Sequence, residues 1–153
     1  MNLFERLNHY RFETVWKVEG PRDRVFGVLR DLPRYPQWWR EVQEVVGNGN
    51  SGLKVTIRAT LPYSLAFDMQ QDVVDELGGI LKAAMKGDLE GFSRWRIVEK
   101  GGDCLLTFQE EVRMNKPLLR WLAPIARPIF KINHFLMMKH GQEGLRRYLE
   151  KMQ

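Results

Sequence analysis

The chain has 153 residues, a formal net charge of +5 and a hydrophobic fraction of 44%. This length fits one domain, expected to span residues 1–153, and the composition excludes a disordered or fibrous protein. Its single cysteine, Cys104, excludes an internal disulfide and favours a reducing, cytoplasmic location. Met1 to Phe12 is too polar for a secretory signal, and no stretch of about 18 apolar residues predicts a membrane span.

Basic and acidic residues alternate along much of the chain, which favours a solvated surface of mixed charge. The combined basic and aromatic motifs of nucleic-acid-binding modules are not evident, so no nucleic-acid partner is expected. His9, His134, His140 and Cys104 lack the spacing of metal ligands. There is no glycine-rich phosphate loop either, so the sequence predicts neither a metal nor a cofactor.

The first predicted element is a half-buried strand over Tyr10–Glu19, in which apolar and polar residues alternate. Gly20 and Pro21 end this strand, and apolar residues at helical spacing then predict a short helix over Pro21–Leu32. Pro33 and Pro36 cannot continue that helix, so a second helical turn is predicted at Gln37–Trp39.

Six further strands follow, separated by short turns rich in glycine and asparagine, which implies antiparallel pairing. Their predicted bounds are Glu41–Val46, Leu53–Leu61, Ser64–Asp75, Ile80–Lys86, Gly91–Glu99 and Leu105–Met114. The period then changes: Asn115 to Pro117 can start a helix, and Pro124 and Pro128 predict a kink or break. A long helix is predicted over Ile129–Met152, the only element large enough to cover the apolar face of the sheet.

This order of elements resembles the helix-grip fold of the START/Bet v 1-like (SRPBCC) superfamily, and in particular its polyketide cyclase/dehydrase-like branch. The resemblance rests on short pieces of sequence distributed over the chain. These are Tyr35-Pro36-Gln37-Trp38-Trp39, Leu61-Pro62-Tyr63-Ser64-Leu65, Gly87-Asp88-Leu89-Glu90-Gly91 before Arg94-Trp95, and Lys116-Pro117 through Asn133-His134.

The resemblance implies an α+β fold in which a curved antiparallel sheet of about seven strands wraps around the long C-terminal helix. Two short helices follow the first strand. It also implies a hydrophobic cavity between sheet and helix, but no shared catalytic triad or metal motif. A superfold of this kind hosts many functions, so the fold alone does not give the activity.

The periodicity and the resemblance together give a set of candidate ligand-binding residues. They are Trp16, Trp39, Tyr63, Phe67, Met69, Met85, Trp95, Phe108, Glu110, Phe130, Asn133, His134 and Met137. Alternation places Glu110 on an inner face, and helical spacing places Asn133 and His134 beside the apolar stripe of the long helix. These three polar residues predict a polar end of the cavity. The alternative, simple core packing around a structural Glu110–His134 pair, stays open.

Two features of the long helix are not explained by one buried apolar face: its two glycines, and apolar residues on the side opposite that face. Gly141 and Gly144 predict a close approach to the sheet, because glycine otherwise costs helix stability. Ile132 and Phe135 lie opposite the buried stripe, in a basic, aromatic and apolar segment over Pro117–Phe135. This segment is interpreted as a pocket lid packed on Trp38-Trp39, as a peripheral membrane contact or as a homodimer contact.

Three functions are compatible with these patterns. The first is a protein that binds a small hydrophobic ligand, lipid-like or aromatic and polyketide-like, in an internal cavity. The second is an enzyme of the cyclase, aromatase or dehydratase type, with Glu110, Asn133, His134 and Tyr63 as its polar groups. The third is a membrane-associated chaperone for a quinone or lipid. No catalytic residue is assigned from the sequence.

Overall fold

The computed structural model describes residues 1–59 and 63–153. Its helices are α1 (Leu3–Leu7), α2 (Arg22–Arg30), a 3₁₀ helix (Leu32–Gln37), α3 (Pro117–Trp121) and α4 (Ala123–Lys151). Its strands are β1 (His9–Glu19), β2 (Val42–Gly47), β3 (Leu53–Arg58), β4 (Ser64–Asp75), β5 (Ile80–Gly87), β6 (Leu89–Lys100) and β7 (Asp103–Met114). The predicted end of the third strand, at Leu61, lies outside the described residues.

The strands form one antiparallel sheet in the order β1-β7-β6-β5-β4-β3-β2. Strands β2 to β7 pair with their neighbours in sequence, and β1 returns to the far edge beside β7. Irregular register between Gln71 and Val73 interrupts the β4–β5 pairing, as expected where a sheet bends. The curved sheet and the long terminal helix confirm the predicted helix-grip fold.

Strand alternation correctly assigns the inner face of the sheet. In β1, Tyr10, Trp16 and Val18 are buried while Arg11 and Lys17 are exposed. The same period of two applies in β7, where Leu106, Phe108, Val112 and Met114 are buried beside Glu110. The helix α4, together with α2 and the 3₁₀ helix, covers this face and removes its apolar side chains from water.

The second short helix exists, but it lies earlier than the predicted Gln37–Trp39: it is a 3₁₀ helix over Leu32–Gln37 that includes both prolines. Pro33 lies in the first turn, where a missing N–H costs nothing. The Tyr35 hydroxyl donates to the Leu29 carbonyl at 2.6 Å and ties this helix to α2. Trp38 and Trp39 follow the helix and enter the core.

The long helix begins at Ala123, six residues before the predicted start. The helical conformation is interrupted at Leu122, between α3 and α4, so Pro124 falls in the first turn of α4. Pro128 lies inside α4, and the helix continues through it to Lys151. A further helix that the sequence did not predict, α1, is closed by a capping box in which Asn2 and Glu5 bond reciprocally.

The two glycines of α4 do permit a close approach, but mainly to the Trp38-Trp39 segment rather than to the sheet as predicted. A Cβ atom at Gly144 would lie 1.7 Å from the Trp38 carbonyl oxygen, and one at Gly141 would lie 2.6 Å from the Trp39 ring. The helix is therefore seated against the segment after the 3₁₀ helix at this end. Met137 is only half-buried, and Met138 takes the buried position beside it.

Candidate functional site

A cleft of about 500 Å³ lies between the inner face of the sheet and the α2–3₁₀ segment. Leu29, Leu32 and Tyr35 form one wall, and side chains of β3 to β6 form the other. The residues on the sheet side include Leu53, Met69, Val73, Leu81, Ala83, Ser93 and Trp95. Because Met69, Ala83 and Trp95 belong to neighbouring strands, the paired register of the sheet fixes their spacing. The cleft is mostly apolar, with a few polar groups at its edges.

Several predicted site residues lie in the core rather than around this cleft. The Trp16 ring contacts those of Trp39 and Trp95, with centroids 5.3 and 4.9 Å apart, and Trp95 contacts Phe108 at 4.7 Å. Trp39 is held to the long helix because its indole N–H donates to the Met137 carbonyl at 2.9 Å. Trp95 thus joins the aromatic core to the cleft, while Trp16, Trp39 and Phe108 fill the space behind it.

The remaining apolar candidates lie in the core, in the cleft and on the long helix. Phe67 and Met85 are buried in the core on β4 and β5, and Met69 lines the cleft. Phe130 lies on α4, with its ring centroid 4.5 Å from that of Tyr10 and 6.4 Å from that of Tyr63. Their role in ligand binding stays a prediction.

Glu110 of β7 and His134 of α4 lie side by side between the sheet and the helix, as strand alternation and helical spacing predict. His134 Nε2 lies 3.5 Å from Glu110 Oε1, and the two side chains are only 8% and 11% exposed. The Phe12 ring stacks on the imidazole at 3.6 Å with an interplanar angle of 7°, which fixes the plane of the imidazole. Among residues 1–59 and 63–153, Nε2 accepts or donates no hydrogen bond, and the Glu110 carboxylate is its acidic neighbour.

Tyr63 and Asn133 lie on the same side of α4. Burial raises the pKa of the Tyr63 hydroxyl to about 12, while a hydrogen bond with the Asn133 side chain opposes part of this shift. The phenol therefore stays protonated at neutral pH and can donate a hydrogen bond. Glu110, His134, Tyr63 and Asn133 supply donors and acceptors around the middle of the long helix.

Ser93 links the cleft with this polar group, and sequence reasoning missed it. It is buried, lines the cleft, and pairs directly with Glu110 across β6 and β7. Residues opposite each other in an antiparallel pair have Cβ atoms about 4.5–5.5 Å apart on the same face. The apolar cleft and the Glu110–His134 pair are thus neighbours on one inner surface. Only the strand register, which alternation alone does not give, could have revealed this.

A second carboxylate–imidazole pair was also missed. His140 Nδ1 lies 2.6 Å from Glu41 Oε2, and Glu41 is almost fully buried. His134 and His140 are six residues apart, so they point from different sides of α4, His134 toward β7 and His140 toward the residue before β2. The signal that could have found this pair was weak, because Glu41 precedes β2 and has no alternation pattern around it.

Cys104 shows the environment of an inert thiol. It is fully buried, and its Sγ lies 3.4 Å from the Gly20 carbonyl oxygen. Burial raises the pKa of the thiol, as does the negative charge of Glu99. Within the described ranges, no three His, Cys, Asp or Glu side chains come close enough together to hold a metal ion.

The sheet that grips one long C-terminal helix places the chain in the START-like class of proteins. Its sequence matches the family described as polyketide cyclase/dehydrase and lipid transport over residues 9–150. The chain belongs to this family. The family's description covers both catalysis and transport, so membership does not choose between them.

Solved structures agree with this fold at low sequence identity. A START superfamily protein from Mycobacterium smegmatis is 18% identical, with a TM-score of 0.72 over 94% of this chain and 99% of that one. The Zhui aromatase/cyclase from Streptomyces sp. R1128 is 13% identical, with a TM-score of 0.73 over 94% of both chains. The di-domain aromatase/cyclase StfQ of the steffimycin pathway is 12% identical, with a TM-score of 0.72 over 97% of this chain and 53% of its own. No curated protein matches the sequence significantly.

Proposed function

We propose that the protein binds a small apolar ligand, lipid-like or aromatic, in the cleft between the α2–3₁₀ segment and the sheet. The observation that carries this proposal is the cleft itself, whose volume of about 500 Å³ lies within the usual range of small-molecule sites. Its walls combine leucine, valine and methionine side chains with the Trp95 ring. Such a surface favours a flat or flexible apolar molecule over a charged one.

The polar groups beside the cleft give the ligand an orientation. Ser93 lies at the cleft wall and Glu110 lies next to it on the paired strand. A ligand with one hydroxyl or carbonyl group can place its apolar part against Trp95 and its polar end toward Ser93 and Glu110. The family's description, which includes lipid transport, supports a ligand of this class.

Two substitutions on opposite faces of β5 test this proposal, one inside the cleft and one outside it. Ala83 faces the cleft, whereas the next residue, Ala84, is exposed on the other face of β5. Ala83→Phe is expected to weaken binding of the uncharged dye Nile red roughly tenfold or more, because the new ring fills the apolar site. Ala84→Phe adds the same ring outside and is expected to leave binding unchanged.

Thermal unfolding of both variants separates a blocked site from a damaged fold. If Ala83→Phe stays folded and binds the dye as the unmodified chain does, the cleft is not the ligand site. Extraction and mass spectrometry of the purified protein provide a second measurement. A lipid or aromatic molecule that remains with Ala84→Phe but is lost from Ala83→Phe is the expected result.

A second candidate function, acid–base catalysis on a carbonyl compound, is favoured by the buried Glu110–His134 pair. The imidazole is held flat by Phe12, and Tyr63 supplies a protonated phenol that can polarise a carbonyl oxygen. Together these groups suit proton abstraction next to a carbonyl. That step is required in cyclisation and dehydration of polyketide-like substrates.

Deuterium exchange into a simple diketone, followed by NMR, tests this chemistry without a known substrate. Glu110→Gln is expected to lower the exchange rate, while Glu111→Gln, on the outer face of the same strand, serves as the matched control. Equal exchange rates for both variants and the unmodified chain, at equal stability, would exclude catalysis by the pair.

A cytoplasmic location remains part of the proposal and is supported by the single, buried cysteine.

A further inference from the structure

The first half of α4, together with α3, presents a row of apolar side chains to solvent. We call this surface the docking face; it consists of Leu118, Trp121, Leu122, Ile125, Ile132 and Phe135. Trp121 is 81% exposed and Phe135 is 67% exposed. The predicted lid, in which this segment packs on Trp38-Trp39, is therefore not what the structure shows. Contiguous exposed apolar patches of this kind mark interaction surfaces.

The docking face lies opposite the side of α4 that packs on the sheet. At about 100° per residue, Ile125 and Ile132 share one stripe, and the buried Phe130 and Asn133 point away from it. The short α1 helix lies beside α3, because the Arg120 guanidinium lies over the Phe4 ring at 5.2 Å and the Asn8 side-chain amide donates to the Arg120 carbonyl oxygen at 3.4 Å. Leu3 of α1 is also exposed.

The charge around this surface is not the even mixture expected from the whole sequence. Residues 112–142 contain no aspartate or glutamate, and their basic residues are Arg113, Lys116, Arg120, Arg127, Lys131 and Lys139. The remainder of the chain carries 18 basic against 19 acidic residues, by subtraction of these six from the 24 in the full sequence. Residues 112–142 therefore carry a formal net charge of +6 and the rest of the chain −1, so the positive charge is concentrated in the part of the sequence that includes the docking face.

This pattern distinguishes between two occupants. A second copy of the chain would bring two segments of net positive charge together, and like charges across an interface are unfavourable. A membrane with anionic headgroups offers the complementary charge and accepts the apolar side chains at the level of the headgroups. Lys139 lies on the same stripe one turn after Phe135, and Lys131 borders it, so both amines can reach lipid phosphates.

We propose that the docking face binds the surface of an anionic lipid membrane, with Trp121 inserted at the boundary between headgroups and acyl chains. Indole prefers this boundary because one part of it is apolar and its N–H needs a polar partner. The binding is peripheral: in the ranges that the structure describes, no helix is long and apolar enough to span a bilayer. A carrier of an apolar ligand would collect or deliver its ligand at such a surface.

Vesicle flotation with the full chain tests this proposal. The chain is expected to float with vesicles that contain phosphatidylglycerol and to stay unbound with pure phosphatidylcholine. Trp121→Glu and Ile125→Glu are each expected to reduce the fraction bound roughly tenfold or more, since each replaces an apolar side chain that would enter the membrane with a charge. The matched control is Leu77→Glu, which alters a residue that is 90% exposed on the β4–β5 turn, far in sequence from the docking face.

Tryptophan fluorescence gives an independent readout. The other four tryptophans are buried, so Trp121 is the indole that reports on the surface. Anionic vesicles are expected to shift its emission to the blue and to protect it from acrylamide, and Trp121→Phe is expected to remove the shift.

Two results would overturn the proposal. One is absence of flotation with anionic vesicles. The other is flotation that Trp121→Glu and Ile125→Glu leave unchanged. Sedimentation velocity decides the competing occupant: a dimer that these two substitutions dissociate, without vesicle binding by the unmodified chain, assigns the face to self-association. Nile red binding in the cleft is expected to survive both substitutions, so failure of this proposal is distinguishable from failure of the ligand-binding one.

Discussion

Gly144 gives the sharpest test of how the long helix is seated. In an exposed helix interior, glycine to alanine stabilises a protein by up to about 1 kcal/mol. At Gly144 the added Cβ would lie 1.7 Å from the Trp38 carbonyl oxygen, and real Cβ contacts essentially never fall below 3.0 Å. The neighbouring atom is backbone, so it cannot rotate away, and the helix must separate from the Trp38 segment by at least about 1.3 Å.

Overpacking of this kind costs about 1–3 kcal/mol and sometimes more, which exceeds the gain in helix propensity. We expect Gly144→Ala to lower the free energy of unfolding by about 2 kcal/mol, and the melting temperature by roughly 4–8 °C for a chain of this length. The matched control is Gly27→Ala on the exposed side of α2, where an added Cβ meets nothing within 4 Å. It is expected to be neutral or slightly stabilising.

Urea denaturation followed by circular dichroism measures both variants. If Gly144→Ala is as stable as the unmodified chain, the close approach of α4 to Trp38 is not a constraint, and the reasoning fails. If Gly27→Ala is also strongly destabilising, helix propensity is the wrong basis for the comparison.

Two further predictions concern the polar group under the long helix. Burial raises the pKa of Tyr63 to about 12 from its ordinary value of 10, so between these two pH values the phenol ionises in the unfolded chain but not in the folded one. The free energy of unfolding is therefore expected to be constant below pH 10, as far as Tyr63 is concerned, and to fall as the pH rises from 10 toward 12. Tyr63→Phe is expected to make this fall smaller in urea titrations at several pH values; an unchanged fall would show that other tyrosines account for it. Glu110→Ala is expected to destabilise the protein by about 1–3 kcal/mol, because it leaves buried His134 without its acidic neighbour. Glu111→Ala, which removes only partly exposed pairs with His9 and Arg11, is expected to cost less than about 1 kcal/mol, and equal losses for the two would contradict the buried pair.

The sheet was predictable from the sequence because a half-buried strand imposes a period of two. Tyr10 to Val18 and Leu106 to Met114 show this alternation, and their burial follows it. The 3₁₀ helix was not predictable in the same way. Pro33 and Pro36 exclude a continued α-helix, but they do not exclude a short helix that begins at a proline, and the tertiary bond from Tyr35 to Leu29 stabilises that outcome.

The candidate site was predictable only in part. Glu110 and His134 could be paired because the period of the strand and that of the helix each place one residue inward. Trp16 and Trp95 have the same inward pattern, yet Trp95 lines the cleft while Trp16 does not, since this depends on where the 3₁₀ helix crosses the sheet. Ser93 acquires its importance from its register with Glu110, which no local pattern encodes.

The seating of α4 through its glycines has a consequence for motion. Gly144 holds the helix against the Trp38 backbone and Gly141 holds it against the Trp39 and Trp16 rings, whereas its first turns contain Pro128. Its two halves should therefore open with different free energies, with slow amide exchange near the two glycines and faster exchange before His134. We expect local opening of the N-terminal half to be the lower-energy way to expose the interior, and hydrogen exchange measured residue by residue along α4 tests this.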